Sequence, residues 1–213
     1  GENNNNIVFT TFVPGRFWVG GGSSNTWVAT VPTNWADETG AINAGIPTSA
    51  TNVFFDGNSG SGNSVISASI NIRSLNTTGY LGTITHNAAV ELSIGDATAG
   101  LNSIALLFNS GMTYTLGNNA SSKIIFISTS ATVQTIDWGG KTTGSVTFNA
   151  TSNGSWKYLS THNFSTIATL DLTKGTLDTN GQTLNGAFLT SDNGNIRTIT
   201  LGSSVINLVG KDT

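Results

Sequence analysis

Residues 168–186 read ATLDLTKGTLDTNGQTLNG. Leu170 and Leu172 flank Asp171, Leu177 precedes Asp178, and Leu184 follows the Asn180-Gly181 pair. Successive side chains of a strand point to opposite faces, so the alternation predicts strand, corner, strand, with the leucines on one side. Asn and Gly tolerate left-handed backbone angles that other residues resist, which suits them to the corner. The wording returns at 197–210, RTITLGSSVINLVG, and more loosely at 112–128, MTYTLGNNASSKIIFIS. Comparable strands stand roughly 20 to 30 positions apart, a range in which internal repeats indicate solenoids. Leu170, Leu172, Leu177 and Leu184 would then stack on their equivalents in the coils above and below.

The same rhythm runs upstream. In SVISASINIRSL, residues 64–75, alternation puts Val65, Ser67, Ser69, Asn71 and Arg73 on one side and Ile66, Ala68, Ile70 and Ile72 on the other. YLGTIT, VELSIG, SIALLF, KIIFIS, TVQTID and GSVTFN are further short runs, each bounded by Gly, Asn or Ser. No window sustains the i, i+3, i+4, i+7 pattern of a helix, so the chain is expected to be all-β. An antiparallel β-sandwich or jelly roll gives similar alternation. Sparse charge on the outer faces and the recurring phrase favour a parallel β-helix, or β-solenoid.

Composition agrees. Charged residues are only 9% of the 213, with 26 glycines, and Ser, Thr and Asn take the vacated positions. Neither a charged disordered tail nor a helical protein has that balance. A net charge of −3 with eight Lys and Arg argues against nucleic-acid binding, and no long apolar run predicts a membrane span. Without cysteine there are neither disulfides nor thiolate metal sites. The opening GENNNN lacks an initiator Met and reads as a processed or partial chain.

Residues 16–35, RFWVGGGSSNTWVATVPTNW, hold three of the five tryptophans, Trp18, Trp27 and Trp35. A solenoid has raw ends that expose its core and its strand edges, and terminal caps are needed. Burying an indole removes about 150–250 Å² of surface, enough to anchor a glycine-rich loop over such an end. The other use of these rings is a platform on which a glycan stacks. The expected organisation is an arm or attachment segment at 1–15, a Trp/Gly-rich capping cassette at 16–63 and solenoid repeats at 64–213. Ile7, Val8, Phe9 and Phe12 have no place in the repeat and are candidates for docking a partner.

The cassette carried by Trp18, Val19, Gly20, Gly21, Trp27, Asn34, Trp35, Pro47, Thr48, Val53, Phe55 and Asp56 resembles that of β-solenoid repeat proteins from tailed-bacteriophage virions and bacterial surfaces. The resemblance implies a structural, non-enzymatic role on a phage particle surface, as capsid decoration, fibre or spike component, aiding host attachment. It implies no cofactor. The implied partners are other virion or surface-structure proteins, further copies of the chain, and a host surface glycan. An adhesin or extracellular filament subunit on a bacterial surface is the alternative, and a polysaccharide depolymerase the third reading.

Glycoside hydrolysis needs two facing carboxyl groups. Asp171 and Asp178 are expected outside, on neighbouring faces of one coil, and Asp37 and Glu38 adjoin in the cassette. His86 and His162 fall in no metal-binding spacing and are expected in loops or turns. Asp56 and Asp96, each beside a glycine, are expected to cap turns. Lys123 precedes IIFIS as a charge guarding an aggregation-prone strand.

Overall fold

The computed structural model describes residues 14–95, 103–117, 121–130, 132–186 and 188–209. Short alternating runs form strands, and there is no helix among these residues. Consequently none is long and apolar enough to cross a membrane. The strands wind into a β-solenoid of about seven turns with three walls.

An initial strand, β1 (Gly15–Trp18), lies parallel to β3 on the first wall, and β2 (Trp35–Ala36) pairs antiparallel with β1. The first turn is β3 (Asn52–Phe54), β4 (Asn63–Ile66) and β5 (Ile70–Ile72). The second is β6 (Ser74–Asn76), β7 (Thr83–His86) and β8 (Glu91–Ile94). The third is β9 (Ile104–Leu107), β10 (Thr113–Leu116) and β11 (Lys123–Phe126). The fourth is β12 (Gln134–Asp137), β13 (Thr142–Thr143) and β14 (Ser145–Asn149). The fifth runs through β15 (Ser155–Tyr158) and β16 (His162–Phe164) into β17 (Thr169–Asp178). The sixth completes β17 and adds β18 (Leu184–Gly186) and β19 (Phe188–Thr190). The last comprises β20 (Arg197–Thr200) and β21 (Ile206–Leu208).

Every pairing between successive turns is parallel, which excludes two face-to-face antiparallel layers. Strands that return to the same wall stack in register: Val53 beside Leu75, Trp156 beside Leu177, Leu177 beside Ile199. The period can be read from side chains hydrogen-bonded across turns. Ser74 to Asn52, Thr85 to Asn63, Asn185 to Asn163 and Asn207 to Asn185 are each 22 positions apart. The second turn is longer, with Thr77 reaching Leu107 across 30 positions. The strand of residues 52–54, expected inside the cassette, already belongs to the first turn.

Leu170, Leu172, Leu177 and Leu184 are buried as expected. Aromatic rings thicken the middle of the stack, where Phe126 and Phe148 lie parallel with centroids 4.9 Å apart. Corners after the first wall share one device: an Asp or Asn at the strand end accepts the backbone N–H two residues on. Asp56 does so for Asn58, Asn76 for Thr78, Asp137 for Gly139 and Asp178 for Asn180. Asn180 and Gly181 then take φ of 53° and 73°, the left-handed pair expected there. Asp96 lies outside the described residues.

Three expectations are corrected. Arg73 is buried, and Ala68 is exposed, because the chain turns at both places and alternation does not carry through a corner. The two histidines are not loop residues; His86 ends β7 and His162 begins β16, and both are fully buried. Their ring nitrogens find acceptors and donors inside, which makes burial of a polar ring affordable.

Candidate functional site

The concentration of unusual chemistry is the aromatic cap. Trp18 ends β1 and Trp35 opens β2, so their antiparallel register sets the two side chains together, with centroids 5.1 Å apart and edge-on. Trp27 meets Trp35 edge-on at 5.5 Å. All three converge on Phe55 of the first turn, at 5.4, 5.4 and 5.8 Å, and Phe55 in turn contacts Tyr80 of the second. Trp35 Nε1 donates to the Trp27 carbonyl at 2.8 Å, and Trp27 Nε1 donates to Ser64 Oγ at 3.3 Å. Trp18 is 4% exposed and the other two 0%. With those exposures no indole offers a face to a sugar ring, so the stacking-platform reading of Trp18, Trp27 and Trp35 is dropped.

Asn34, one residue before Trp35, organises the glycine loop above them. Its Oδ1 accepts Gly22 N–H at 2.7 Å, and its Nδ2 donates to the carbonyls of Ser24 and Thr26 at 2.6 and 2.8 Å. A Cβ on Gly22 would fall 2.6 Å from that Oδ1, so only glycine passes there. Sequence reasoning recorded the Asn-Trp pair as part of a motif without assigning the amide this role. Its adjacency to a buried indole was the one available signal.

The acids are dispersed in their duties. Asp37 accepts from the hydroxyl and N–H of Thr39 and the N–H of Ala41, hydrogen bonds that hold its carboxyl below the usual range. Glu38 accepts Gly15 N–H at 3.3 Å. Asp171 accepts from Thr173, while Asp178 caps its corner and pairs with Lys157 at 3.6 Å. Those two sit on adjoining walls, on the two halves of β17. Lys123 pairs with Glu91 at 3.8 Å across neighbouring strands. A depression of about 250 Å³ lies beside Phe17, Trp18, Asp37, Glu38 and Asp56. Among the described residues no three His, Cys, Asp or Glu side chains gather to hold a metal.

The histidines are committed to the core. His86 Nε2 faces the Val90 carbonyl at 3.0 Å, which can only accept, so this nitrogen carries the proton and Nδ1 accepts from the Tyr114 hydroxyl at 2.7 Å. His162 lies between the rings of Trp138 and Phe164, both at 3.7 Å, with Thr143 and Tyr158 hydroxyls on its nitrogens. Burial pushes His86 down to about 4 and His162 well below its ordinary value, and it pushes Tyr114 and Tyr158 up. Both rings are fully buried, and each ring nitrogen is already engaged by a neighbour within the core. Ile7, Val8, Phe9 and Phe12, the expected partner-docking residues, lie outside the described residues. The chain matches no protein-family model, no curated protein and no solved structure.

Proposed function

We propose that the protein is a non-enzymatic structural component of a phage particle surface, a capsid decoration, fibre or spike element. One observation carries the mechanical part of this reading: parallel ladders and a continuous apolar core run through the described turns, with the first end sealed by three buried indoles. Such a stack holds its shape through backbone hydrogen bonds that neighbouring turns share, and each turn rests on the next. The side chains best able to do acid–base chemistry serve the fold instead: histidines in the core, aspartates at corners. The cassette resemblance supplies the particle location. In this reading residues 1–15 attach the solenoid to its capsid or tail partner, and the neutral polar walls face the medium or a host glycan.

Immunogold electron microscopy with antibodies to residues 16–213 tests the location. Gold on the exterior of virions is the expected result; gold on bacterial envelopes alone replaces this reading with a surface adhesin or filament subunit. Release of soluble sugar from host capsule by the purified protein would replace it with a depolymerase. Removing residues 1–13 is expected to abolish attachment and leave the circular-dichroism spectrum intact.

A further inference from the structure

Three successive corners between the third and first walls differ in length. β14 reaches β15 through residues 150–154, and β19 reaches β20 through 191–196. Between them β17 turns the corner with no loop, bending at Gly175 with a φ of 106°. A short corner between two long ones leaves a cleft across the outside of the solenoid. The cleft measures about 410 Å³ and is lined by residues 151–154 on one side, 174–176 along the middle and 196–198 on the other. Small-ligand pockets span about 300–1,000 Å³, so this one has room for a small ligand.

Both rims are held in place. Ser152 Oγ donates to the Thr129 carbonyl at 3.0 Å, and Ser191 Oγ donates to the Leu172 carbonyl at 3.1 Å. The Arg197 guanidinium fastens the second loop by donating to Ser191, Asn193 and Asn195. In the middle, Lys174 Nζ donates to the Thr151 carbonyl at 3.2 Å and has further N–H groups to give. Every acceptor of these two cations is a neutral oxygen, and among the described residues neither pairs with a carboxylate. The cleft therefore holds two uncompensated positive charges in a chain of net charge −3. Around them stand groups that both donate and accept, among them the Ser152 hydroxyl and the Asn153 amide. That mixture suits a ligand with one anionic group and many hydroxyls; inorganic phosphate at neutral pH calls chiefly for donors.

We propose that this cleft binds an acidic saccharide. Its carboxylate rests on Lys174 within the field of Arg197, where a charge-assisted hydrogen bond is strongest. Its hydroxyls meet Ser152 and Asn153, and the exposed Ile196 lies against the apolar face of the sugar ring. The choice of a saccharide rests on the surface role proposed above. Binding and particle location are measured separately, so either can fail alone.

The probes are oligosaccharides of galacturonate, glucuronate, mannuronate and sialate, titrated calorimetrically into residues 1–213 beside their methyl esters. At least one acid form is expected to bind, its ester at least about tenfold more weakly, and the affinity to fall as salt rises. Lys174→Gln is expected to lower that affinity about tenfold. Lys141→Gln, which removes a lysine bonded in the same way to the Ser110 carbonyl at another corner, leaves it unchanged. Should Lys174→Gln lose its strand spectrum, Asn153→Trp, at an exposed rim position, fills the cleft and is expected to abolish binding. No binding across the set, equal binding of acids and esters, or binding indifferent to both cleft variants overturns the proposal and leaves the scaffold reading in place. Inorganic phosphate binding as tightly as the best saccharide overturns the saccharide assignment.

Discussion

Acidification from neutral pH to about 4.5 is expected to remove several kcal/mol of stability through two histidines, before most carboxylates titrate. His86 has an ordinary value of 6.5 and is pushed down to about 4 in the fold, where burial outweighs the charge-favouring hydrogen bond to Val90. A group with a lowered folded pKa binds more protons when unfolded once the pH drops below its ordinary value. Its contribution is therefore complete above about 6.5 and is lost as pH falls toward about 4. At about 1.4 kcal/mol per pH unit, His86 alone gives up roughly 3 kcal/mol across that window. His162 is shifted the same way by burial and adds to the loss. Against a typical total of about 5–15 kcal/mol, the sum is enough to threaten the fold. The exposed Asp37 is lowered from 3.8 and loses its contribution only at more acid pH, so its effect is separable. Urea unfolding followed by tryptophan fluorescence at several pH values reads the slope, with a limit of about 1.4 kcal/mol per pH unit for each histidine. His86→Gln and His162→Gln are each expected to start less stable at neutral pH and to flatten the profile. A wild-type midpoint unchanged between about pH 6.5 and 4.5, or an undiminished slope in the double variant, refutes the reasoning.

Four further outcomes follow from the packing. Trp35→Ala deletes a fully buried indole and its bond to Trp27, and a loss of about 3–5 kcal/mol in urea unfolding is expected, with light scattering from the uncovered end. Gly175→Ala puts a Cβ within 2.7 Å of the Gly154 carbonyl at a φ of 106°, and a fall in melting temperature equivalent to about 3 kcal/mol or more is expected. Asn185→Ala interrupts the asparagine ladder between Asn163 and Asn207, and the expected loss is about 1 kcal/mol by the same assay. Lys157→Ala breaks a part-exposed ion pair with Asp178 and should cost less than about 1 kcal/mol, since water screens both groups.

The aromatic cap was legible early because three tryptophans set among glycines, serines and asparagines have few uses other than burial against a neighbouring core. Its geometry was not. That Trp35 donates to the Trp27 carbonyl, and that Asn34 holds the loop through three hydrogen bonds, depends on where β2 folds back onto β1. The histidines were misread for a related reason. Thr and Asn around each ring resemble a turn, and only the stack reveals that Tyr114 lies on the next turn and that Trp138 and Phe164 enclose His162.

The linear order of residues determines what is local. Alternation made Leu170, Leu172, Leu177 and Leu184 one buried row, Asn180-Gly181 a left-handed corner, and the chain all-β, since side-chain direction in a strand depends on its own backbone alone. Which strand lies beside which was decided by tertiary structure. A strand pairs equally well with a near or a distant partner of suitable pattern, so parallel winding and antiparallel layers share one alternation. Closure of each turn upon the last selects between them, and in doing so it carries Arg73 and both histidines inside.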